Sequence, residues 1–588
     1  MARRRAQWLL LAVALLLILT GVLVTELLRI KRDLEHGAAA LTDIDLLRVD
    51  ERGGLLAIVD GAADRVERAD QRAHSSLALR GLATVPLLGS QVDALRDLTS
   101  VSADIAGEAR RAAAEIQETL DTTTGADGRL ALAHTAARAL DDVATAVEQV
   151  EIDTDRWLLA PLADARHELR ARLARATFDL RDATELVAAA EGFLTGPRRY
   201  LVLGGNNAEM RGTAIPTTSG VAQIEQGAIE VGEFSGATCC DANGIELRRP
   251  VPVPDEYVQV YGWLNGGQGY RTTTASPNWP VTAPIMADIT ERNRWGAVDG
   301  VILVDTFVLA VLLEVVGPVT VDGIEYSRAT AGEQLLYRNY LRYPTHADNA
   351  ELDAHQSRVA AAVFAALNTR DYSLFDLAGR LSQLARGRHL FGWSADEAEN
   401  RLWVSLGADG ALRHDGLLVT VNQLNASKLD YFSDLSIEVR TVDAGDHQRA
   451  TMRITLTNPE HGETSEYIDG GGRYAQPGNW GAWVLAYLPP EAYDITGDPT
   501  LTTGGRDGPM TVVGMILEVP EGEARVVEIA FSLPHDIAEV VVLPASRLRP
   551  VGWQFNDGPP LPDFVPFRVD LDTGELLGQE NDPPVTVP

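Results

Sequence analysis

The sequence predicts a multidomain α+β protein with an N-terminal transmembrane helix, a helical stalk or bundle, a central α/β domain and a C-terminal β-sandwich. Three observations predict this order. An uncharged apolar stretch opens the chain, and a long region rich in Ala, Leu and Arg with helical spacing follows it. Strand-like segments come next, first alternating with helices and then alone. The predicted boundaries are 1–31, 32–195, 196–425, 426–575 and a tail at 576–588.

Length and composition limit what this protein can be. A chain of 588 residues is too long for one hydrophobic core. Its formal net charge of −32 repels phosphate backbones, so we expect no nucleic-acid partner. The chain has two cysteines, the neighbours Cys239 and Cys240, which cannot join distant segments. The sequence does not decide whether these two form a vicinal disulfide.

Residues 7–25 are the predicted membrane anchor. They carry no charge, and nineteen helical residues span about 28 Å, close to the thickness of a bilayer core. The charged run 29–35 separates this stretch from the small residues 37–40, which favours an uncleaved anchor over a signal peptide. The prediction is a single-pass protein of the bacterial cell membrane, with a cytoplasmic N-terminus and an extracytoplasmic bulk.

The region 38–192 has the apolar spacing of helices that pack side by side. Breaks are predicted at Pro86 and around 125–128, which gives about four helices in an elongated bundle or coiled stalk. Two apolar stripes with three- and four-residue spacing carry this prediction: Leu132, Ala136, Leu140, Val143, Val147 and Val150, and then Leu162, Leu169, Leu173, Ala176, Leu180 and Val187.

The central region alternates strands and helices, which is typical of an α/β domain. Strands are predicted at 200–203, 220–224, 228–231 and 300–304, and helices at 306–316, 331–342, 351–368 and 372–386. After about residue 420 the pattern is all-β, because apolar residues alternate with polar ones between Gly- and Pro-rich turns. Strands are predicted there at 437–441, 452–456, 482–488, 512–518, 525–532 and 538–543.

Several separated blocks resemble an uncharacterised bacterial family, domain of unknown function 4012. They are the segments 200–213 (YLVLGGNNAEMRGT), 298–305 (VDGVILVD), 312–321 (LLEVVGPVTV), 388–394 and 406–412. The resemblance covers roughly residues 80–545 and is strongest from 198 to 432.

The central region also resembles, at a distance, the LytR–CpsA–Psr phosphotransferases, which move glycopolymers from a polyprenyl-pyrophosphate carrier onto the cell wall. The likeness lies in 299–301, 317–319 and the helix after them. It implies a pyrophosphate ligand held by Arg residues, with Mg²⁺ as the divalent metal and no dedicated set of protein ligands for it. The implied ligand-binding candidates are Asn206, Asn207, Glu209, Arg211, Arg338, Arg342, Asp353 and Arg358.

Ordinary structural roles stay open for the same residues. Asn206 and Asn207 suit a polar turn. Arg211 could pair with Glu209 or Asp305 as a structural ion pair. The spacing of Arg338 and Arg342 is that of a solvated helix face.

Three functions follow from these patterns. The first is a membrane-anchored cell-envelope protein whose central domain binds a polyprenyl-phosphate-linked or glycan ligand with little or no catalysis, because residues 215–219 (IPTTS) replace the Arg-Ser-Asp-Thr-like segment of the transferases. The second is a Mg²⁺-dependent glycopolymer phosphotransferase or pyrophosphatase. The third is a structural adhesin or scaffold. The sequence does not set the oligomeric state, the polymer or the catalytic residues.

Overall fold

The computed structural model describes residues 29–30, 32–34, 36, 54–86, 88–123, 125–152, 157–232, 234–236, 250–292, 295–370, 372, 374–472 and 474–579. They divide into two compact units, residues 1–194 and 195–588. Cys239 and Cys240 lie outside the described residues.

The prediction of a transmembrane helix needs correction. None of the helices that the structure describes is long and apolar enough to cross a membrane. The long described helices carry Asp, Glu and Arg along their length, and the predicted span at 7–25 lies outside the described residues. The fold class that the described residues support is multidomain α+β, and the prediction of a single-pass location in the bacterial cell membrane is withdrawn.

The first unit is helical. Its described helices are Gly54–Ser75 (α1), Leu77–Ala83 (α2), Gly89–Thr122 (α3), Gly125–Glu148 (α4) and Ala160–Thr195 (α5). Small residues let α1 and α3 pack closely, because Ala63 and Val66 of α1 meet Ala106 of α3 in a buried cluster. No residue of α5 is fully buried, so its predicted apolar stripe is only partly covered in this unit.

Among its described residues, the second unit contains the strands and ten α-helices. The helices are Asp255–Tyr261 (α6), Tyr270–Thr273 (α7), Trp279–Arg292 (α8), Thr306–Val316 (α9), Ala331–Glu333 (α10), Asn339–Arg342 (α11), Asn349–Thr369 (α12), Leu374–Arg386 (α13), Glu397–Ser405 (α14) and Glu466–Asp469 (α15). A π-helical segment, Gln334–Arg338, joins α10 to α11.

Its strands are Arg198–Met210 (β1), Ala214–Glu225 (β2), Ala228–Val231 (β3), Ser235–Gly236 (β4), Gly300–Val304 (β5), Val319–Val321 (β6), Ile324–Tyr326 (β7), Leu390–Ser394 (β8), Gly416–Gln423 (β9), Asp434–Asp443 (β10), Gln448–Asn458 (β11), Trp480–Leu488 (β12), Tyr493–Asp498 (β13), Thr503–Asp507 (β14), Met510–Val519 (β15), Glu523–Leu533 (β16), Glu539–Val542 (β17), Gly552–Phe555 (β18), Leu561–Pro562 (β19), Phe567–Asp570 (β20) and Leu576–Gln579 (β21).

The first sheet has the order β3-β2-β1-β5-β8, with β4 paired to β2. Strand β1 runs parallel to β5 and antiparallel to β2. Side chains alternate across the sheet, so Leu201 and Leu203 pack into the large core that includes Trp279 of α8. On the opposite face, Val304 packs beside Val311 of α9.

Two further sheets form the C-terminal part. Their orders are β13-β16-β11-β10-β18-β19 and β14-β15-β12-β9-β17-β20-β21. Every residue of β9 and β12 is buried, because both faces of this seven-stranded sheet are covered. Strand β9 lies before residue 425, the predicted boundary between the central domain and the β-sandwich, but it pairs with β12 and β17 of the seven-stranded sheet. The first sheet and the seven-stranded sheet share one hydrophobic core among the described residues.

Candidate functional site

Strand β1 carries three predicted site residues, Asn206, Asn207 and Glu209, and Arg211 follows in the turn to β2. The pairing of β1 with β2 shifts register twice within 204–210. Such bulges re-aim side chains and are common beside functional sites. Asn206, Asn207 and Glu209 are all buried, so each requires a polar partner.

Asn207 belongs to a buried network around Asp305. Its Nδ2 donates to Asp305 Oδ2 at 2.7 Å, and its Oδ1 accepts from Thr306 Oγ1 at 2.7 Å. The Nδ1 atom of His389 lies 2.6 Å from the same Asp305 oxygen. An ionised carboxylate only accepts, so this imidazole nitrogen carries the hydrogen. Asp305 also caps α9 by accepting from the N–H of Phe307 at 2.9 Å, and the network fixes β1, β5 and α9 together.

An apolar cleft of about 120 Å³ lies between the first sheet and helices α9 and α12. It is partly open to solvent, and no Lys or Arg is among the described residues that line it. The aliphatic and aromatic residues of the lining are Val202, Phe234, Val304, Leu309, Leu312, Leu335, Leu336, Val359, Ala360, Val363 and Phe364. Its polar residues are Asn206, Thr217, Thr218, Asp305, Thr306 and Gln356.

The backbone shapes this cleft on two sides. Gly204 and Gly205 line it from the sheet, and a Cβ at Gly204 would overlap Oγ1 of Thr218, which also lines the cleft. The consecutive residues Leu335 and Leu336 line it from the π-helical segment. Such segments are rare and are found frequently at functional sites. We therefore regard the cleft as a feature that the local backbone is built to form.

Asn206 links the cleft to a group of buried charges. Its side chain lines the cleft and donates from Nδ2 to the hydroxyl of Tyr340 at 2.6 Å. The ammonium nitrogen of Lys428 lies 5.0 Å from the centre of the same tyrosine ring. Tyr340 thus separates the apolar cleft from the charges beyond it.

Six charged side chains form what we name the cationic cluster: Glu209, Arg211, Arg271, Lys428, Asp430 and Arg547. Glu209 Oε1 accepts from Arg271 Nη2 at 2.8 Å, and Oε2 contacts the ammonium group of Lys428. The side chain of Glu209 is 1% exposed and that of Lys428 is 5% exposed. Glu209 is therefore fully occupied by two cations.

Asp430 and Arg547 form the second ion pair of this cluster. Arg547 Nη1 lies 3.0 Å from Asp430 Oδ1, and the second guanidinium nitrogen donates to the carbonyl of Ser433 at 3.0 Å. The other Asp430 oxygen accepts from the backbone N–H of Met210 at 3.0 Å. Asp430 thereby attaches the end of β1 to the segment that leads into β10.

The cluster shifts the pKa values of its members. Burial raises the pKa of Glu209, but three neighbouring cations outweigh burial and bring it to about 2. Burial lowers the pKa of Arg211 to about 10, although the nearby Glu209 carboxylate opposes this shift. Glu209 is therefore ionised throughout the neutral range, and Arg211 is a cation held in a poorly solvated place.

The remaining predicted site residues have partners of their own. Arg338 pairs with Glu333 at 2.7 Å, Arg358 donates to Asp322 at 2.6 Å, and Arg342 donates to Asn339 at 2.6 Å. Asp353 accepts from Asn349 Nδ2 at 3.3 Å. None of these four is among the described residues that line the cleft or belongs to the cationic cluster.

Sequence reasoning missed Arg271, Lys428, Asp430 and Arg547. These residues come from α7, the loop after β9, and the loop after β17, so no local pattern joins them to β1. One signal was available, because Lys428 is one of only two lysines in the sequence.

The residues present do not fit the Mg²⁺ that the transferase likeness implies. Magnesium needs one or two carboxylates with free oxygens, and both oxygens of Glu209 are engaged by cations. Among the residues that the structure describes, no group of three or more His, Cys, Asp or Glu could hold a metal ion.

Neither a curated protein nor a solved structure matches this sequence. The likeness to the LytR–CpsA–Psr phosphotransferases is not shown by any of these comparisons. Residues 195–340 match the family model described as Protein of unknown function (DUF4012), and this part of the chain, from β1 to α11, is therefore a domain of unknown function.

Proposed function

We propose that the unit of residues 195–588 binds a lipid by taking its apolar chain into the cleft, and that the lipid class is a polyprenyl-phosphate-linked carrier. The observation that carries this proposal is the cleft itself, which is lined mainly by aliphatic and aromatic side chains and stays open to solvent. Apolar walls offer water few hydrogen bonds, whereas each CH₂ group of an apolar chain that is buried there contributes about 0.8 kcal/mol to the free energy of binding.

The chemistry of the lining favours a lipid over a glycan. Sugar recognition needs many hydrogen-bonding groups, and the polar side chains Asn206, Asp305 and Thr306 already have partners within the protein. A branched apolar chain needs only matching shape and dry surface. The proposal is of binding and not of transfer, because Glu209 is held by two cations and is not placed to act on a phosphate group.

Filling the cleft tests this proposal. Ala360 lines the cleft on α12, and Ala365 is exposed on the same helix. The purified full chain would be titrated with an uncharged polyprenol in detergent, so that only the apolar chain is probed. We expect saturable binding, and Ala360→Phe should weaken it about tenfold or more, which is a loss of about 1.4 kcal/mol.

Ala365→Phe is the matched control, because it adds the same side chain to the same helix outside the cleft. It should bind polyprenol as the unchanged protein does. Absence of saturable binding to the unchanged protein, or equal binding by Ala360→Phe, would refute the proposal.

A further inference from the structure

The cationic cluster holds more positive than negative charge. Its cations are Arg211, Arg271, Lys428 and Arg547, and its carboxylates are Glu209 and Asp430. Each carboxylate is already paired, so the excess amounts to two positive charges. In a chain with a formal net charge of −32, such a surplus in a buried place is unusual.

Several donors in this cluster have no partner. The Nε and Nη1 atoms of Arg211 and the Nε atom of Arg547 are buried without a hydrogen-bond acceptor among the described residues. Buried guanidinium N–H donors that lack an acceptor are unfavourable. A bound anion would therefore stabilise the protein by accepting hydrogen bonds from the unpartnered donors of Arg211.

The cluster opens to solvent on one side. The side chains of Lys428, Asp430 and Arg547 are at most 5% exposed, whereas that of Arg271 is 22% exposed. Arg211 is also partly exposed, and it lies in the turn between β1 and β2. An anion that arrives from solvent would meet Arg271 and Arg211 first.

We propose that the cationic cluster is a binding site for one oxyanion of phosphate chemistry, held chiefly by the guanidinium group of Arg211 with Arg271 at its open edge. Arginine donors arranged as a fork suit the oxygens of phosphate and pyrophosphate. A dianion matches the surplus of two positive charges. Lys428 and Arg547 act as positioning residues, because their own carboxylate partners, Glu209 and Asp430, bind them inside the cluster.

The anion has two sources, free phosphate or the head group of a lipid. Asn206 lines the cleft and binds Tyr340, whose ring faces Lys428, so the cluster and the cleft meet at these residues. The anion site itself stands on the buried charges alone. Its assignment to a lipid head group rests on the proposed function.

Binding of inorganic pyrophosphate to the purified full chain tests the site without any apolar chain. Titration calorimetry at constant ionic strength should show one saturable site, and Arg211→Met should weaken it about tenfold or more. Arg338→Met is the matched control, because Arg338 is an exposed arginine paired with Glu333 outside the cluster, and this variant should bind as the unchanged protein does.

Arg271→Met gives a second test if Arg211→Met does not fold, because its side chain is partly exposed and its removal leaves Lys428 paired with Glu209. We expect it to weaken pyrophosphate binding severalfold. The proposal would be overturned if the unchanged protein bound pyrophosphate no more tightly than chloride. It would also be overturned if every folded variant of Arg211 and Arg271 bound pyrophosphate as the unchanged protein does.

A polyprenyl phosphate separates the two sources. If it binds more tightly than both polyprenol and inorganic phosphate, and if Ala360→Phe and Arg211→Met each weaken it, the anion is a lipid head group. If pyrophosphate binds while polyprenol does not, the anion site stands and the proposed lipid-binding function fails. If polyprenol binds while pyrophosphate does not, the proposed lipid-binding function stands and the anion site fails.

Discussion

Asp305 and His389 lie 84 residues apart in the chain, yet Asp305 Oδ2 and His389 Nδ1 are 2.6 Å apart and both side chains are buried. The ring of His389 also stacks on that of Phe307, with centroids 3.9 Å apart. This contact ties the start of α9 to the start of β8. Because Asn207 donates to the same oxygen, one carboxylate holds three segments together, and two of them, β1 and α9, line the cleft.

Replacing Asp305 should therefore cost more stability than the loss of a helix cap. Asp305→Ala removes the cap of α9, worth about 1 kcal/mol, and leaves donors of Asn207 and His389 without an acceptor, each worth about 1–3 kcal/mol. We expect a loss of about 3 kcal/mol or more in the free energy of unfolding, measured by urea denaturation.

Asp396→Ala is the control for this change. Asp396 caps α14 by accepting from the N–H of Glu399 at 3.0 Å, but it is exposed and has no comparable network. Its loss should cost about 1 kcal/mol. Equal losses for the two variants would contradict the role given to Asp305.

Gly392 of β8 should not tolerate a side chain. A Cβ at this position would overlap the indole ring of Trp403, whereas a Cβ at Gly504 of β14 would meet no atom within 4 Å. Both glycines lie on edge strands and have ordinary backbone angles. Gly392→Ala should lower stability by about 1–3 kcal/mol through overpacking. Gly504→Ala should change it by about 0.5 kcal/mol or less, and the reverse order would show that Trp403 moves aside.

Local patterns in the sequence predict much of the fold but little of the cluster. The strand predicted at 300–304 and the helix predicted at 306–316 are present as Gly300–Val304 and Thr306–Val316, because apolar runs and a capping Asp mark them locally. Strand β1, by contrast, was predicted to end at 203 and continues to Met210. The later residues Asn206, Asn207 and Glu209 are polar, and side chains from distant segments satisfy their hydrogen bonds and charge in the buried strand.

The site residues show the same limit. Arg338 and Arg358 were candidates because of their positions in a resemblance. Arg338 is instead bound by Glu333, five residues away, and Arg358 by Asp322, 36 residues away. Lys428 reaches Glu209 across 219 residues, and that pairing depends on how the two sheets assemble. No spacing in the sequence encodes such a contact, so the cluster could be found only from the fold.

The buried pair of Arg547 and Asp430 should show strong energetic coupling. Both side chains are at most 3% exposed, and each alone would be a buried charge without its partner. Arg547→Met should cost about 3–5 kcal/mol, while the double variant with Asp430→Asn should cost clearly less than the sum of the two single changes. Unfolding in urea of all four proteins in the cycle measures this coupling.

A neighbouring pair supplies the control for that cycle. Arg549 Nη1 lies 3.2 Å from Asp434 Oδ1, but the two side chains are 50% and 53% exposed. Water screens such a pair, so its coupling should not exceed about 1 kcal/mol. Similar coupling in both cycles would contradict the view that burial makes the Arg547–Asp430 contact strong.

Asp563 should make stability depend on pH between about 4 and 7. Burial raises the pKa of Asp563 to about 7, although it accepts from the N–H of Ala545 at 2.9 Å and from that of Val551 at 2.6 Å. An unfolded Asp has a pKa of about 3.9, so the native state keeps a proton that the unfolded chain has released. The stabilisation from this group is complete below about pH 4 and is lost as the pH rises through about 7.

Comparison with Asp563→Asn isolates this contribution, because Asn does not titrate. The free energy of unfolding of the unchanged protein, minus that of the variant, should fall by about 1.4 kcal/mol per pH unit from pH 4.5 to 6.5. Asp570→Asn is the control, since hydrogen bonds from Thr573 lower the pKa of Asp570 and place its titration below this window. Its difference from the unchanged protein should stay flat. A flat difference for Asp563→Asn as well would mean that Asp563 is ionised in the native state.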